Sequence, residues 1–139
     1  TYHKGDKLMC VFCDIINHKI PSKVVYEDDD VLAILDISQV TKGHTLVMPK
    51  KHYANILEVD ENTLQHCTSV VHKLAKQIVE NTGAKGCNVL TNCGEIAGQS
   101  VDHLHFHIIP RYSSKDSIEI KFNPSPALDL DEVLQQVKG

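Results

Sequence analysis

Three histidines separated by single apolar residues, in the run His103-Leu104-His105-Phe106-His107-Ile108-Ile109, hold the chain's greatest capacity for chemistry. In an extended strand successive side chains point to opposite faces, so His103, His105 and His107 share one face while Leu104, Phe106 and Ile108 share the other. The imidazoles then recur about every 6.5 to 7 Å, and each can act near neutral pH as nucleophile, proton donor or metal ligand. A His-x-His zinc site on a strand uses the same spacing, and a solvated, histidine-rich sheet face is the plain alternative. Near the start of the chain, Cys10-x-x-Cys13 has the spacing of half a structural zinc site, which needs two further ligands.

The elements that must position these groups follow from local pattern. Residues 1–9 read as a flexible tail and residues 10–139 as a single domain. Cys10 to Asn17 carries apolar residues at the spacing of a short amphipathic helix, which Pro21 keeps from running far. Val24 to Tyr26 and Val31 to Leu35 predict a hairpin about the acidic run Glu27-Asp28-Asp29-Asp30, a solvated turn rather than a cation site. His44 to Met48 predicts a third strand, entered from Lys42-Gly43 and ended by Pro49. Asp60 is the expected N-cap of one long helix, in which Leu64, Cys67, Val70, Val71, Leu74 and Ile78 recur at three- and four-residue steps until Gly83 stops it. Cys87 to Thr91 and His103 to Ile109 complete five antiparallel strands, and Leu130 to Val137 predicts a C-terminal helix. The expected class is α+β: a five-stranded antiparallel sheet, one long helix across it, and short helices at either end.

Composition narrows the function classes. The 139 residues, 42% hydrophobic and 23% charged, suit one globular domain with its own core, and no apolar run approaches the roughly 20 residues of a membrane span. A net charge of −4 with no Lys/Arg cluster argues against nucleic-acid binding. The first seven residues are polar and lack a signal peptide's apolar core. Five cysteines, an odd number in a chain large enough to fold without staples, suit a reducing compartment. A cytoplasmic protein is expected. Cys67 falls on the helix stripe and reads as core, whereas Cys87 and Cys93 carry no assignment.

With these residues in place the chain resembles the histidine-triad (HIT) superfamily, whose hallmark is His-x-His-x-His followed by two apolar residues. The match runs from about Cys10 to Arg111. It takes in Asp36-Ile37-Ser38, Lys42 to His52, Asn92, and Gly98-Gln99-Ser100-Val101 leading into His103. Within the superfamily it looks most like the small homodimeric purine nucleoside phosphoramidases and their bacterial-type relatives, with counterparts at Ile20 to Ser22 and Tyr26 to Asp29. Ile108 to Arg111 also resembles the diadenosine polyphosphate hydrolase branch, and the tail after Tyr112 departs from the Trp-containing tail of the phosphoramidases.

The resemblance implies a mechanism. His105 attacks the α-phosphorus of a purine nucleoside phosphoramidate to form a nucleotidyl-histidine, which water then hydrolyses. His107 contacts the phosphate and helps protonate the leaving amine, while His44 supports the site from its edge. Asn92, Gln99 and Ser100 supply donors to the phosphate, and Gly98 allows the backbone to come close. Asp36 accepts the ribose hydroxyls, and Val11, Phe12, Ile15, Ile20 and Ile37 surround the base. Relatives of the bacterial type complete a structural zinc site with the residues matching His52 and His103, which implies Cys10, Cys13, His52 and His103 here; no catalytic metal is required. The resemblance also implies a homodimer, through the long helix and a neighbouring strand, with the variable segment 113–139 a candidate to order over the partner's site. Three other readings stay open: dinucleoside polyphosphate hydrolysis, a nucleotide-binding regulatory module with little turnover, and a metal-dependent hydrolase in which the triad holds catalytic zinc.

Overall fold

The computed structural model describes residues 10–139; the tail expected at residues 1–9 lies outside the described residues. The elements follow one another as α1 (Val11–Ile16), β1 (Val24–Glu27), β2 (Val31–Leu35), β3 (Thr45–Pro49), α2 (Glu61–Thr82), β4 (Gly86–Leu90), β5 (Phe106–Arg111) and α3 (Leu130–Lys138). The strands make one antiparallel sheet in the order β1-β2-β3-β5-β4. The α+β class expected from the sequence is the one observed.

Local chemistry explains the boundaries. Asp60 caps α2 by accepting from the Thr63 amide at 3.1 Å, and Gly83 ends it in a left-handed conformation (φ 74°) that a side chain would resist. Cys67, Val70, Val71, Leu74 and Ile78 form the buried stripe of α2. They pack against Val31, Ala33, Val47, Leu104, Phe106 and Ile108. On the sheet's other face, Cys10 and Phe12 of the N-terminal segment pack on Leu32, Ile34, Leu46 and Met48. The acidic turn is held by Asp28, whose Oδ1 accepts from the amides of Asp30 and Val31 at 2.8 Å each.

Several boundaries differ from expectation. The strand predicted over His103 to Ile109 begins only at Phe106, because the Leu104 amide donates to the Tyr53 carbonyl (2.6 Å), outside the ladder. The alternation of faces nevertheless extends back through the irregular stretch, with Leu104, Phe106 and Ile108 all under α2. Pro49 was expected to end β3 but lies within it, paired with Val31, and one turn of 3₁₀ helix at Glu95–Ala97 occupies a segment expected to be loop.

Leu104 is 1% exposed and sits between two of the histidines. Leu104→Ala is expected to lower stability by about 2–5 kcal/mol, the range for emptying a buried leucine site. Urea denaturation measures it, and a loss below about 1 kcal/mol would mean that the site collapses freely.

Candidate active site and metal-binding cluster

The histidine segment divides its rings between two environments. His103 is fully buried, and its Nε2 lies 2.8 Å from the Pro49 carbonyl oxygen. A carbonyl only accepts, so Nε2 carries the hydrogen and Nδ1 presents a lone pair. That lone pair faces the sulfurs of Cys10 and Cys13, each 3.5 Å away, and Cys13 Sγ lies 3.3 Å from His52 Nδ1. Ligand atoms of Cys10, Cys13, His52 and His103 all fall within 4.8 Å of one another. Two thiols and two imidazoles so placed have the chemistry of a tetrahedral Cys₂His₂ centre, so these residues could hold a metal. Burial, reinforced by Cys10, pushes the Cys13 thiol up to about 12. A dication would reverse that preference by stabilising the thiolate.

His105 faces a different surface. Its Nδ1 lies 2.8 Å from the carbonyl of His103, so Nδ1 is the donor and Nε2 keeps its lone pair. The edge of the Phe12 ring packs against it, with centroids 4.9 Å apart. His107 is reached from across the sheet by His44, whose Nε2 is 2.9 Å from His107 Nδ1. The Val40 amide approaches His44 Nδ1 at 3.5 Å and the Ser38 backbone also hydrogen-bonds this ring, so a single hydrogen is shared between His44 Nε2 and His107 Nδ1. This contact orients the His107 ring.

Asp36 lies at the end of β2, with Oδ1 bonded to the Ser38 amide at 2.8 Å and Oδ2 3.7 Å from His44 Nε2. One carboxylate oxygen thus makes the turn while the other is directed toward the histidines. Gln39 braces this loop, donating to the carbonyls of Asp36 and His44 at 2.6 and 2.7 Å and accepting from the Gly43 amide at 2.8 Å.

His105, His107 and Asp36 line a pocket of about 340 Å³, walled mainly by apolar side chains of α1 and the sheet. All the apolar positions expected around a base (Val11, Phe12, Ile15, Ile20 and Ile37) border it, as does Ser100. Ile37 is 97% exposed and stands at its rim.

A HIT domain model matches residues 17–114. The chain belongs to the HIT domain family. An uncharacterized HIT-like protein of Methanocaldococcus jannaschii is 49% identical over 131 residues, covering 94% of this chain and all of that one. The adenosine 5′-monophosphoramidase hnt1 of Schizosaccharomyces pombe is 37% identical over 91% of each chain. Among solved structures, a HIT family protein from Bacillus anthracis superposes with a TM-score of 0.87 at 44% identity, covering 96% of this chain and 93% of that one.

Within this HIT domain the loop before the histidines departs from expectation at Gln99. Its Nε2 donates to the carbonyls of Ala54 (2.6 Å) and Val101 (2.9 Å), and its Oε1 accepts from the Gly94 amide (2.9 Å). Both amide hydrogens are engaged, so Gln99 shapes the loop and has none left for a phosphate. Asn92 and Gly98 also lie outside the pocket wall: Asn92 Nδ2 donates to the Gly98 carbonyl at 3.5 Å, and Gly98 adopts φ 94°.

Sequence reasoning missed Gln39, the Pro49 carbonyl, and the wall residues Ile34 and Leu46. The last two had a signal. Strand register places Ile34 beside Leu46 and Leu46 beside His107, one row across the sheet.

Burial is the main force on the titrations. It lowers His103 to about 4 and, aided by His105 and His44, lowers His107 to about 4; it also depresses His105 and His44. Folded rings with a pKa near 4 bind protons less readily than unfolded ones near 6.5, so the unfolded state takes up more protons as the solution is acidified. The stability of the metal-free protein is therefore expected to fall from about pH 6.5 toward pH 4. Urea midpoints at pH 7 and pH 5 test this, and a midpoint that did not fall would contradict it.

Proposed function

We propose that this HIT protein is a nucleotide hydrolase and nucleotidyl transferase that cleaves purine nucleoside 5′-phosphoramidates through His105. The observation that carries the reading is the 2.8 Å hydrogen bond from His105 Nδ1 to the His103 carbonyl. It leaves an unprotonated Nε2 at the wall of a pocket of nucleoside size, as in-line attack on phosphorus requires. His105 Nε2 forms the P–N bond as the bond to the leaving amine breaks, and His107, oriented by His44, assists proton transfer to that amine. Water then attacks the nucleotidyl-histidine, releasing the nucleoside monophosphate and restoring His105. Asp36 takes the ribose hydroxyls, and Ser100, at the pocket rim, is a donor to the phosphate. The relative named adenosine 5′-monophosphoramidase supports this choice of leaving group.

The quartet Cys10, Cys13, His52 and His103 would hold a structural zinc. Four protein ligands leave no position for a reacting water, so zinc there would tie α1 to the histidine segment.

The decisive experiment compares wild type with His105→Ala on adenosine 5′-phosphoramidate, with and without chelator, and records intact mass for a trapped adenylyl adduct. Wild type is expected to stay active in chelator and to form the adduct, and the variant to lose at least about a thousandfold in kcat, as removal of a covalent nucleophile does. AMP binding without turnover in both proteins would overturn the enzyme reading in favour of a binding module. Diadenosine polyphosphates turning over faster than the phosphoramidate would move the assignment to that branch.

We also propose a homodimer. β4 lies at the sheet edge, and Leu130, Leu134 and Val137 are 79%, 51% and 79% exposed along one side of α3. The open strand edge and the apolar side of α3 support a second copy of the chain as the partner. Light scattering at micromolar concentration is expected to give twice the chain mass; a monomer would refute the assembly.

A further inference from the structure

A second group of metal-capable side chains lies inside the pocket and shares no residue with the cysteine-containing quartet. Oxygen and nitrogen ligand atoms of Asp36, His44 and His107 lie within 4.8 Å of one another. His44 Nε2 is 2.9 Å from His107 Nδ1 and 3.7 Å from Asp36 Oδ2. With metal–ligand bonds of about 2.05 Å, those separations correspond to an N–metal–N angle of about 90° and an O–metal–N angle of about 130°. Both angles lie within the range that transition-metal dications accept once the two rings turn from each other toward the metal. The Asp36 carboxylate is already oriented by the Ser38 amide on its other oxygen, and the His44 main chain by Gln39.

We propose that Asp36, His44 and His107 form a reversible site for a divalent transition metal of the Zn²⁺ or Ni²⁺ class, and that its occupancy excludes nucleotide. Two imidazoles and one carboxylate suit these ions, and three ligands leave coordination positions open toward the pocket for water. Binding requires His44 Nε2 and His107 Nδ1 both to direct lone pairs at the metal, so the hydrogen between them moves to the far nitrogen of its ring. The hydrogen bond between the two rings is then lost, which keeps this site weaker than the quartet. The exclusion of nucleotide rests on the function proposed above, because the metal would occupy the ribose-binding carboxylate and tie down the ring that serves the leaving group.

The test uses protein whose quartet has been filled with one equivalent of zinc, titrated calorimetrically with Ni²⁺ in the presence and absence of AMP. Wild type is expected to bind about one further Ni²⁺ per chain, with AMP affinity falling as Ni²⁺ rises. Asp36→Asn should weaken Ni²⁺ binding at least about tenfold, since losing even an outer-shell partner costs 10–100-fold. His66→Ala removes a member of the exposed Asp28–Asp30–His66 group and should change nothing. Paramagnetic broadening of the His44 and His107 ring signals in wild type locates the ion without any variant. Equal Ni²⁺ uptake in wild type and Asp36→Asn, with those ring signals unbroadened, would overturn the proposal. Failure of the nucleotide reading shows separately, as absence of AMP binding before any Ni²⁺ is added, and the ring signals then still decide the metal site.

Discussion

A neutral imidazole has one hydrogen to place on two nitrogens, and in His105 the backbone carbonyl of His103 claims it at 2.8 Å. The opposite nitrogen must then carry the lone pair, which the ring presents toward the pocket. That constraint is only as firm as the carbonyl. His103 is held by its own ring, hydrogen-bonded to Pro49 and packed among the thiols, while the next amide is bonded to Tyr53. Leu104 and Phe106 fasten the segment from below against α2. Among the described residues no buried side-chain nitrogen or oxygen lacks a hydrogen-bond partner, so the segment has no polar reason to relax.

The six-residue helix α1 borders both the quartet and the pocket. Its flanking Cys10 and its own Cys13 reach the metal-capable quartet, while Val11, Phe12 and Ile15 wall the pocket. Phe12 touches both His103 and His105, with ring centroids 6.0 and 4.9 Å apart. A helix this short has little stability of its own. Its position rests on Leu32, Ile34, Leu46 and Met48 beneath it and on whatever the quartet holds, so pocket wall and quartet cannot shift independently.

Burial sets the chemistry of four histidines in one direction. His44, His103, His105 and His107 each lose proton affinity because the charged form is desolvated, and the neighbouring rings add to the effect for His103 and His107. A cluster of neutral imidazoles offers lone pairs and N–H donors at physiological pH, and hydrogen-bond partners alone decide which nitrogen is which. The Asp36 carboxylate opposes the fall at His44, His105 and His107.

Period-two alternation from His103 to Ile108, the three- and four-residue stripe of α2, and its Asp60 and Gly83 ends were legible because they depend on local geometry alone. The family was legible in the same way, from motifs that keep their order along the chain. The role of Gln99 was not: an amide in a glycine-bounded loop has the same local signature whether it faces a phosphate or folds back on Ala54 and Val101. Nor could sequence show that the histidine strand starts late, since the competing acceptor, Tyr53, is about 50 residues away in the chain. The sequence by itself determined which chemical groups are present and which face of each element they occupy, through the fixed periods of helix and strand. The tertiary structure decided which nitrogen of His103 and of His105 keeps its lone pair and which side chains meet at the pocket and the quartet. Hydrogen-bond acceptors and desolvation are supplied by residues distant in sequence.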